Sequence, residues 1–374
     1  MKTYGQTLDT VQLEDFLAFF FTSSLAHEEA TGERPTPVCI WGPHGLGKTA
    51  SVMAFARERG WKVAYCAPAQ FEEIGDLHGL PTRVDPSPEH HGDEYTAYLP
   101  PEWVPREEGP GILLLDDLNR ADDRILRGLM QLLQNFEMFS WTLPNKWQIV
   151  CTANPEDSDY SVTPMDDAML TRMLHVSLRF DVRAWAAWAL RHGVDSRGVD
   201  FVLTYPELVS GQRTTPRSLV QVFTHLARIP DLKKDLARVS ILARSGLDDA
   251  TANAFLAFVN DDLDLRVSGE DILDAPDFAP VRARIEEAAK GRGKSVRLDR
   301  LSTICTRLLL VLAEPSRACP TEQNRKNVVA FLMMPQLPAD LRFSVHREIS
   351  AMPGERPKVL EDAELARLVL KALA

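Results

Sequence analysis

The stretch VCIWGPHGLGKTAS, from Val38 to Ser51, decides the fold. An apolar run ends at Trp41, a glycine-rich turn follows, and the turn closes on Gly47, Lys48 and Thr49. Gly42, Pro43, His44, Gly45, Leu46, Gly47, Lys48 and Thr49 fit the pattern G-x-x-x-x-G-K-[ST], with Ala50 next in line. Glycines let backbone N–H groups turn inward around an anion, and a helix that follows points its positive end at the same spot. Lys48 adds a point charge for the outer phosphates of a nucleotide. The Thr49 hydroxyl is a hard oxygen ligand of the kind Mg²⁺ takes. The loop also sits where it must, after an apolar strand and before a helix that carries Val52, Phe55 and Ala56 at helical spacing.

A phosphate loop calls for a second element, an apolar strand ending in an aspartate that reaches the metal. ILLLDD, Ile112 to Asp117, supplies it. Asp116 is the metal-linked carboxylate, and Asp117 stands where an acid polarises an attacking water.

Outward from these two segments the chain alternates strands and helices. Residues 8–30 read as a helix, Trp61–Cys66 as a short strand, and 67–110 as a long irregular region rich in Pro, Gly, His and acid. Gly111–Asp116 is an unbroken apolar strand of the doubly buried kind. Arg124–Phe136 reads as a helix, Glu137–Trp147 as a hairpin, Gln148–Thr152 and Leu174–Leu178 as further strands. That alternation predicts an α/β fold around a five-stranded parallel sheet. Beyond 181 the pattern is helical almost throughout. The expected division is a nucleotide-binding core over 1–180, a helical lid over 181–260 and a helical C-terminal extension over 261–374.

Bulk composition narrows the function classes. The chain has 374 residues, 45% hydrophobic and 25% charged, enough to bury a core, and a formal net charge of −11. That charge argues against a surface built to clamp a phosphate backbone, so nucleic acid is not an expected partner. The five cysteines, Cys39, Cys66, Cys151, Cys305 and Cys319, are scattered singly, without a disulfide pattern, and Cys39, Cys66 and Cys151 lie in apolar, strand-like runs, which suits small buried thiols in a reducing cytosol. The start MKTYGQTLDT lacks a basic segment followed by an apolar one, and no apolar run has the length of a membrane span. A cytoplasmic protein without membrane association is expected.

Taken together, GPHGLGKT, LLLDDLNRA, CTANP and AMLTRM resemble the AAA+ ATPases, and within them the MoxR-like branch, over roughly residues 35–225. DDLNRA is close to that branch's Asp-Glu-hydrophobic-Asn-Arg-Ala segment, and the hairpin before the fourth strand matches it in place. The resemblance implies ATP and Mg²⁺ as ligands and ATP hydrolysis as activity. It also implies a homo-oligomeric, hexameric ring that remodels or activates a protein partner, often one with a von Willebrand factor A domain. It assigns Asn154 to positioning the attacking water, a role an amide that both donates and accepts can fill. Arg172 becomes the arginine finger that reaches the neighbouring subunit's γ-phosphate, a group worth ~10³–10⁵ in rate. Arg120 is a second candidate for the subunit interface. Arg217 in TTPRSL becomes the lid arginine that senses nucleotide, with Arg213 as competitor.

One position departs from the family pattern. Its usual glutamate after the metal aspartate is Asp117 here, about 1 Å shorter, and misplacement of that size can cost ~10²-fold in rate. A slow ATPase acting as a nucleotide-gated scaffold is therefore one alternative function; a nucleic-acid-directed AAA+ motor, as in restriction-type AAA+ proteins, is another, disfavoured by the acidic composition. Among the remaining signals, Phe71, Ile74, Leu77 and His78 in Pro68–Pro81 fall where AAA+ rings carry a loop facing the central channel. His90 and His91 with Glu89 and Asp93 lack ordered metal-ligand spacing. Trp185 and Trp188 read as lid core, and Gly291–Arg297 as a basic, solvated linker.

Overall fold

The short apolar runs of the N-terminal half become strands because each has helices to bury it on both sides. The computed structural model describes residues 2–85, 94–156, 161–210, 213–263, 266–291 and 296–371. It divides into two compact units, Met1–Asp181 and Val182–Ala374. The first unit runs β1 (Gln6–Leu8), α1 (Thr10–Thr31), β2 (Val38–Trp41), α2 (Lys48–Glu58), β3 (Lys62–Cys66), α3 (Ile74–His78), β4 (Leu80–Val84) and β5 (Tyr95–Leu99). It continues through β6 (Gly111–Leu115), α4 (Asp123–Asn135), β7 (Glu137–Met138), β8 (Trp141–Thr142), β9 (Trp147–Ala153), α5 (Asp167–Leu170) and β10 (Leu174–Leu178). The main sheet has the order β1-β10-β2-β9-β6-β3, and every pairing in it is parallel.

The sheet has six strands where the sequence predicts five. The addition is β1, which pairs with β10 from Gln6↔Val176 to Leu8↔Leu178. A Gln-Thr-Leu strand is too short to show a period of two. It ends at Leu8, and Asp9 caps α1: its side chain accepts the Gln12 amide at 2.9 Å, and the Gln12 side chain accepts the Asp9 amide at 3.0 Å. The helix expected from Leu8 thus begins at Thr10. The region read as irregular, 67–110, contains α3 and an antiparallel β4–β5 pair, in register from Leu80↔Leu99 to Val84↔Tyr95. No residue of that pair is buried, so no apolar alternation marks it in the sequence. His90, His91, Glu89 and Asp93 lie outside the described residues.

Side-chain alternation splits the core of this unit into two layers. Val38 and Ile40 of β2, with Ile112 and Leu114 of β6, pack beside Leu13, Leu17 and Phe21 of α1 and Val52 and Phe55 of α2. Cys39 and Trp41, with Leu113 and Leu115, face the opposite layer beside Leu129 and Leu132 of α4. Burial on both faces is why these strands read as continuous apolar runs.

The second unit is built of helices: α6 (Val182–Arg191), α7 (Ser196–Thr204), α8 (Pro216–Leu226), α9 (Leu236–Gly246), α10 (Asp249–Ala257) and α11 (Gly269–Leu273). After them come α12 (Ala279–Ala288), α13 (Leu298–Ala313), α14 (Glu322–Leu332), α15 (Ala339–Ser350) and α16 (Ala363–Lys371). Helix α13 runs through its core and buries Leu301, Ile304, Leu308 and Leu312. Trp185 is buried there, but Trp188 is 37% exposed and stacks on His192 at 4.4 Å, so only one of the two tryptophans is core. Within Gly291–Arg297, residues 292–295 lie outside the described residues, while Arg297 pairs with Asp299 at 2.7 Å. Among the described residues no helix is long and apolar enough to cross a membrane.

A buried charge cluster ties α7 to α13. Asp200 accepts Arg307 Nε at 2.6 Å and also pairs with Arg266, while Arg307 Nη1 donates to the Val267 carbonyl at 2.8 Å. Burial pushes the Asp200 carboxyl up, and the two guanidiniums pull against it. Removing one partner of a buried pair leaves an uncompensated charge, which typically costs about 3–5 kcal/mol. Asp200→Ala should therefore lower unfolding free energy by about that much, measured by denaturant titration of the full chain. A loss under about 1 kcal/mol would mean that the pair is worth no more than a solvated surface bridge.

Candidate active site

Parallel register ends three functional strands at one edge of the sheet. Trp41 pairs with Ala153, Leu115 pairs with Cys151, and the Gly42 amide donates to the Ala153 carbonyl at 3.1 Å. The phosphate loop leaves β2 at that edge, Asp116 and Asp117 follow β6, and Asn154 follows β9. Ligands of open α/β sheets bind outside these carboxyl ends.

In the loop, Gly45 (φ 70°) and Gly47 (φ 99°) occupy backbone conformations that a side chain would strain. Gly47 caps α2 and brings no capping side chain, so the first turn of the helix presents its amides to the loop. Lys48 is 5% exposed, and its Nζ donates to the carbonyls of Gly42 at 2.6 Å and Pro43 at 3.1 Å and to Asn154 Oδ1 at 3.2 Å. The ammonium therefore lies inside the loop that a phosphate would fill.

Hydroxyl groups from three elements converge on Asp116. Thr49 Oγ1 donates to Oδ1 at 2.5 Å, Thr152 Oγ1 to the same oxygen at 2.7 Å, and the Tyr65 phenol to Oδ2 at 3.0 Å. Partial burial, then the Asp116 charge, pushes the Tyr65 phenol up to about 12, so it keeps the proton it donates. Thr49 and Asp116 thus place hard oxygens side by side, a donor set that fits Mg²⁺.

Asp117 sits in the left-handed region at φ 50°. Its amide donates to Thr152 Oγ1 at 2.8 Å, its Oδ1 accepts Asn154 Nδ2 at 3.0 Å, and Arg120 Nη1 lies 3.7 Å from its Oδ2. Asn154 is 1% exposed and uses both ends of its amide, as acceptor for Lys48 and donor to Asp117. A third residue holds it there: fully buried Asn119 donates to the Asn154 carbonyl at 2.8 Å and accepts the Asn154 amide at 2.9 Å.

Of the residues predicted from sequence, Lys48, Thr49, Asp116, Asp117 and Asn154 form one hydrogen-bonded cluster. Arg172 bonds elsewhere, through Nε to Gln134 Oε1 at 3.1 Å and through Nη1 to the Ala168 carbonyl. Arg217 is exposed in the first turn of α8, behind a Thr215 cap that accepts the Ser218 amide at 3.2 Å. Arg213 Nη2 donates to the Ser245 carbonyl at 3.1 Å. In the channel-loop segment, Leu77 is buried over Gly128 of α4, where an added Cβ would lie 2.7 Å from Leu77 Cδ2. Phe71 packs against Trp103, so Leu77 and Phe71 belong to the core of their own unit, while Ile74 stays 42% exposed.

Sequence reasoning missed Tyr65, Thr152 and Asn119. A signal existed for Thr152, which lies two residues before Asn154 and therefore on the same side of the chain end. Asn119 was visible as a polar residue inside DDLNRA. A tyrosine on a short strand carries no such mark.

Residues 37–173 match the family model of the AAA domain, dynein-related subfamily. No match was found among curated proteins. Solved structures with similarity include the Thermotoga maritima RuvB Holliday junction branch migration motor, at 16% identity and TM-score 0.36, covering 84% of this chain and 94% of that one. Another is a Cytophaga hutchinsonii protein described as an ATPase, at 14% identity and TM-score 0.30, covering 85% of this chain and 86% of that one. The family match holds the P-loop and four of the six strands of the parallel sheet, β2, β3, β6 and β9, and residues 37–173 are thus an AAA domain within an α/β AAA+ core.

Proposed function

We propose that the chain is an ATP- and Mg²⁺-dependent AAA+ ATPase of the MoxR-like type, which works as a homo-oligomeric ring, a hexamer, on a partner protein. The observation that carries the nucleotide chemistry is the network in which Asn154 bonds Lys48 and Asp117, Thr49 bonds Asp116, and Thr152 links the two sets by accepting the Asp117 amide and donating to Asp116. The MoxR-like assignment, the ring and a partner with a von Willebrand factor A domain rest on the motif resemblance. The same holds for a lid role of 181–260 with Arg217 as nucleotide sensor, while a cytoplasmic location rests on the cysteine pattern and the apolar-run lengths of the sequence.

Each residue then has a chemical task. The loop amides of Gly42–Ala50 and the Lys48 ammonium bind the triphosphate, after Lys48 leaves the carbonyls of Gly42 and Pro43. Thr49 and Asp116 hold Mg²⁺, which when bound neutralises charge on the phosphate oxygens. Asp117 polarises the attacking water, and Asn154 orients it while fixing the carboxylate. Arg172 acts in trans, so turnover rises with assembly.

One observation favours a second reading, a slow nucleotide-gated scaffold: Asp117 is already engaged by Asn154 and lies close to Arg120. Steady-state ATPase rate against protein concentration separates the two, since the remodelling ATPase gains specific activity on assembly.

Lys48→Ala should abolish nucleotide binding in a calorimetric titration; retained micromolar binding would remove the loop assignment. Arg172→Ala should keep binding and lose turnover by ~10³-fold or more. A normal rate for this variant would discard the trans role. Asp117→Glu should preserve or raise turnover by restoring the longer reach, and a rate ~10²-fold below the parent would show a pocket fitted to aspartate.

A further inference from the structure

Asp116 is gripped unevenly. Two hydroxyls, from Thr49 and Thr152, share Oδ1, while Oδ2 accepts from Tyr65. Thr49 is the residue proposed to turn to the metal. Once its hydroxyl is so engaged, Thr152 on Oδ1 and Tyr65 on Oδ2 are what fix the plane of the carboxylate. Each carboxylate oxygen accepts along two directions, so the phenol anchors Oδ2 and leaves the second direction open.

The position of Tyr65 follows from the ladder. Strand β3 pairs with β6 through Tyr65↔Leu114 and Cys66↔Leu115, and the Asp116 amide donates to the Cys66 carbonyl at 2.8 Å. Asp116 therefore falls one step beyond the Cys66 pair. Side chains alternate along strands, so Tyr65 and Asp116 come to one face as diagonal neighbours within reach of a long aromatic side chain. The ring is 45% exposed and has no part in the buried core clusters, so its placement serves the hydroxyl more than the packing.

We propose that Tyr65 is a positioning residue for the metal: by holding Asp116 Oδ2 it orients the carboxylate toward Mg²⁺ and sets the magnesium concentration at which the nucleotide site fills. The proposal rests on the nucleotide-binding reading above. Partners of this kind, one shell out from a metal, typically change metal affinity by ~10–100-fold when lost, and a neutral, half-exposed phenol belongs at the lower end.

The test uses the full chain and the isosteric substitution Tyr65→Phe. Binding of a fluorescent ATP analogue is measured first in EDTA and then against rising free Mg²⁺, with Mn²⁺ titrations followed by electron paramagnetic resonance as a second readout. The expected result is an unchanged affinity in EDTA, a Mg²⁺ half-saturation raised roughly tenfold, a matching loss for Mn²⁺, and full binding restored by excess Mg²⁺. An unchanged half-saturation overturns the proposal. So does an affinity in EDTA that falls in step with the metal response, because Tyr65 then supports the loop rather than the metal. If the parent protein itself binds no nucleotide, the nucleotide reading fails first and the role of Tyr65 fails with it; if it binds nucleotide without regard to Mg²⁺, the nucleotide reading stands and the metal role of Asp116 and Tyr65 is overturned.

Discussion

The contact between Thr49 Oγ1 and Asp116 Oδ1, at 2.5 Å, is the constraint on which the rest of the site depends. It joins the first turn of α2 to the end of β6, two elements separated by 67 residues of chain. A side-chain hydrogen bond of this length cannot hold two loose segments in place. It exists because β2 and β6 are both hydrogen-bonded to β9, in registers that bring Trp41, Leu115 and Ala153 to the same edge. The apolar strands thus do mechanical work for the polar residues that follow them. Burial on both faces fixes the register, since a slip by one residue would turn every side chain to the wrong layer.

Polar groups then lock the edge itself. Asn119 replaces a missing ladder step by bonding both backbone groups of Asn154. The Thr152 hydroxyl accepts the Asp117 amide and donates a hydrogen bond to Asp116. Buried networks are worth most when every member is satisfied, and here the amide of Asn154 and the hydroxyl of Thr152 each act as donor and acceptor. Two acidic side chains side by side at a strand end are thereby given different surroundings. Asp116 receives three hydroxyls, while Asp117 receives an amide and lies near a guanidinium.

This difference explains how much was legible beforehand. The loop and the aspartate pair are marked by local pattern, a fixed spacing and a run of apolar residues that stops at acid, and Asn154 was marked by the resemblance of CTANP to a family segment. Their side chains meet because the topology is one that alternating strands and helices nearly dictate. Tyr65 meets Asp116 only through the pairing of β3 with β6, and no local spacing announces that. The β1 strand and the β4–β5 pair escaped for a related reason: β1 has three residues, β4 and β5 bury none, and without a buried face there is no period to read. Trp188 shows the reverse error, an aromatic residue at helical spacing that is left 37% exposed. Spacing identifies a face but does not say how far that face is covered.

The backbone of Asp117 bears on the question raised by its short side chain. A non-glycine residue in the left-handed region is uncommon, though aspartate tolerates it better than most. Such a conformation persists where surrounding bonds over-determine it, and here the Asp117 amide is fixed by Thr152 and its carboxylate by Asn154. The pocket is thus drawn in around the shorter residue: Asn154 meets Asp117 at 3.0 Å while also accepting from Lys48, which ties the acid to the ammonium through one amide. A shorter acid held in this way gives up reach, and its backbone and carboxylate are fixed from two sides by Thr152 and Asn154.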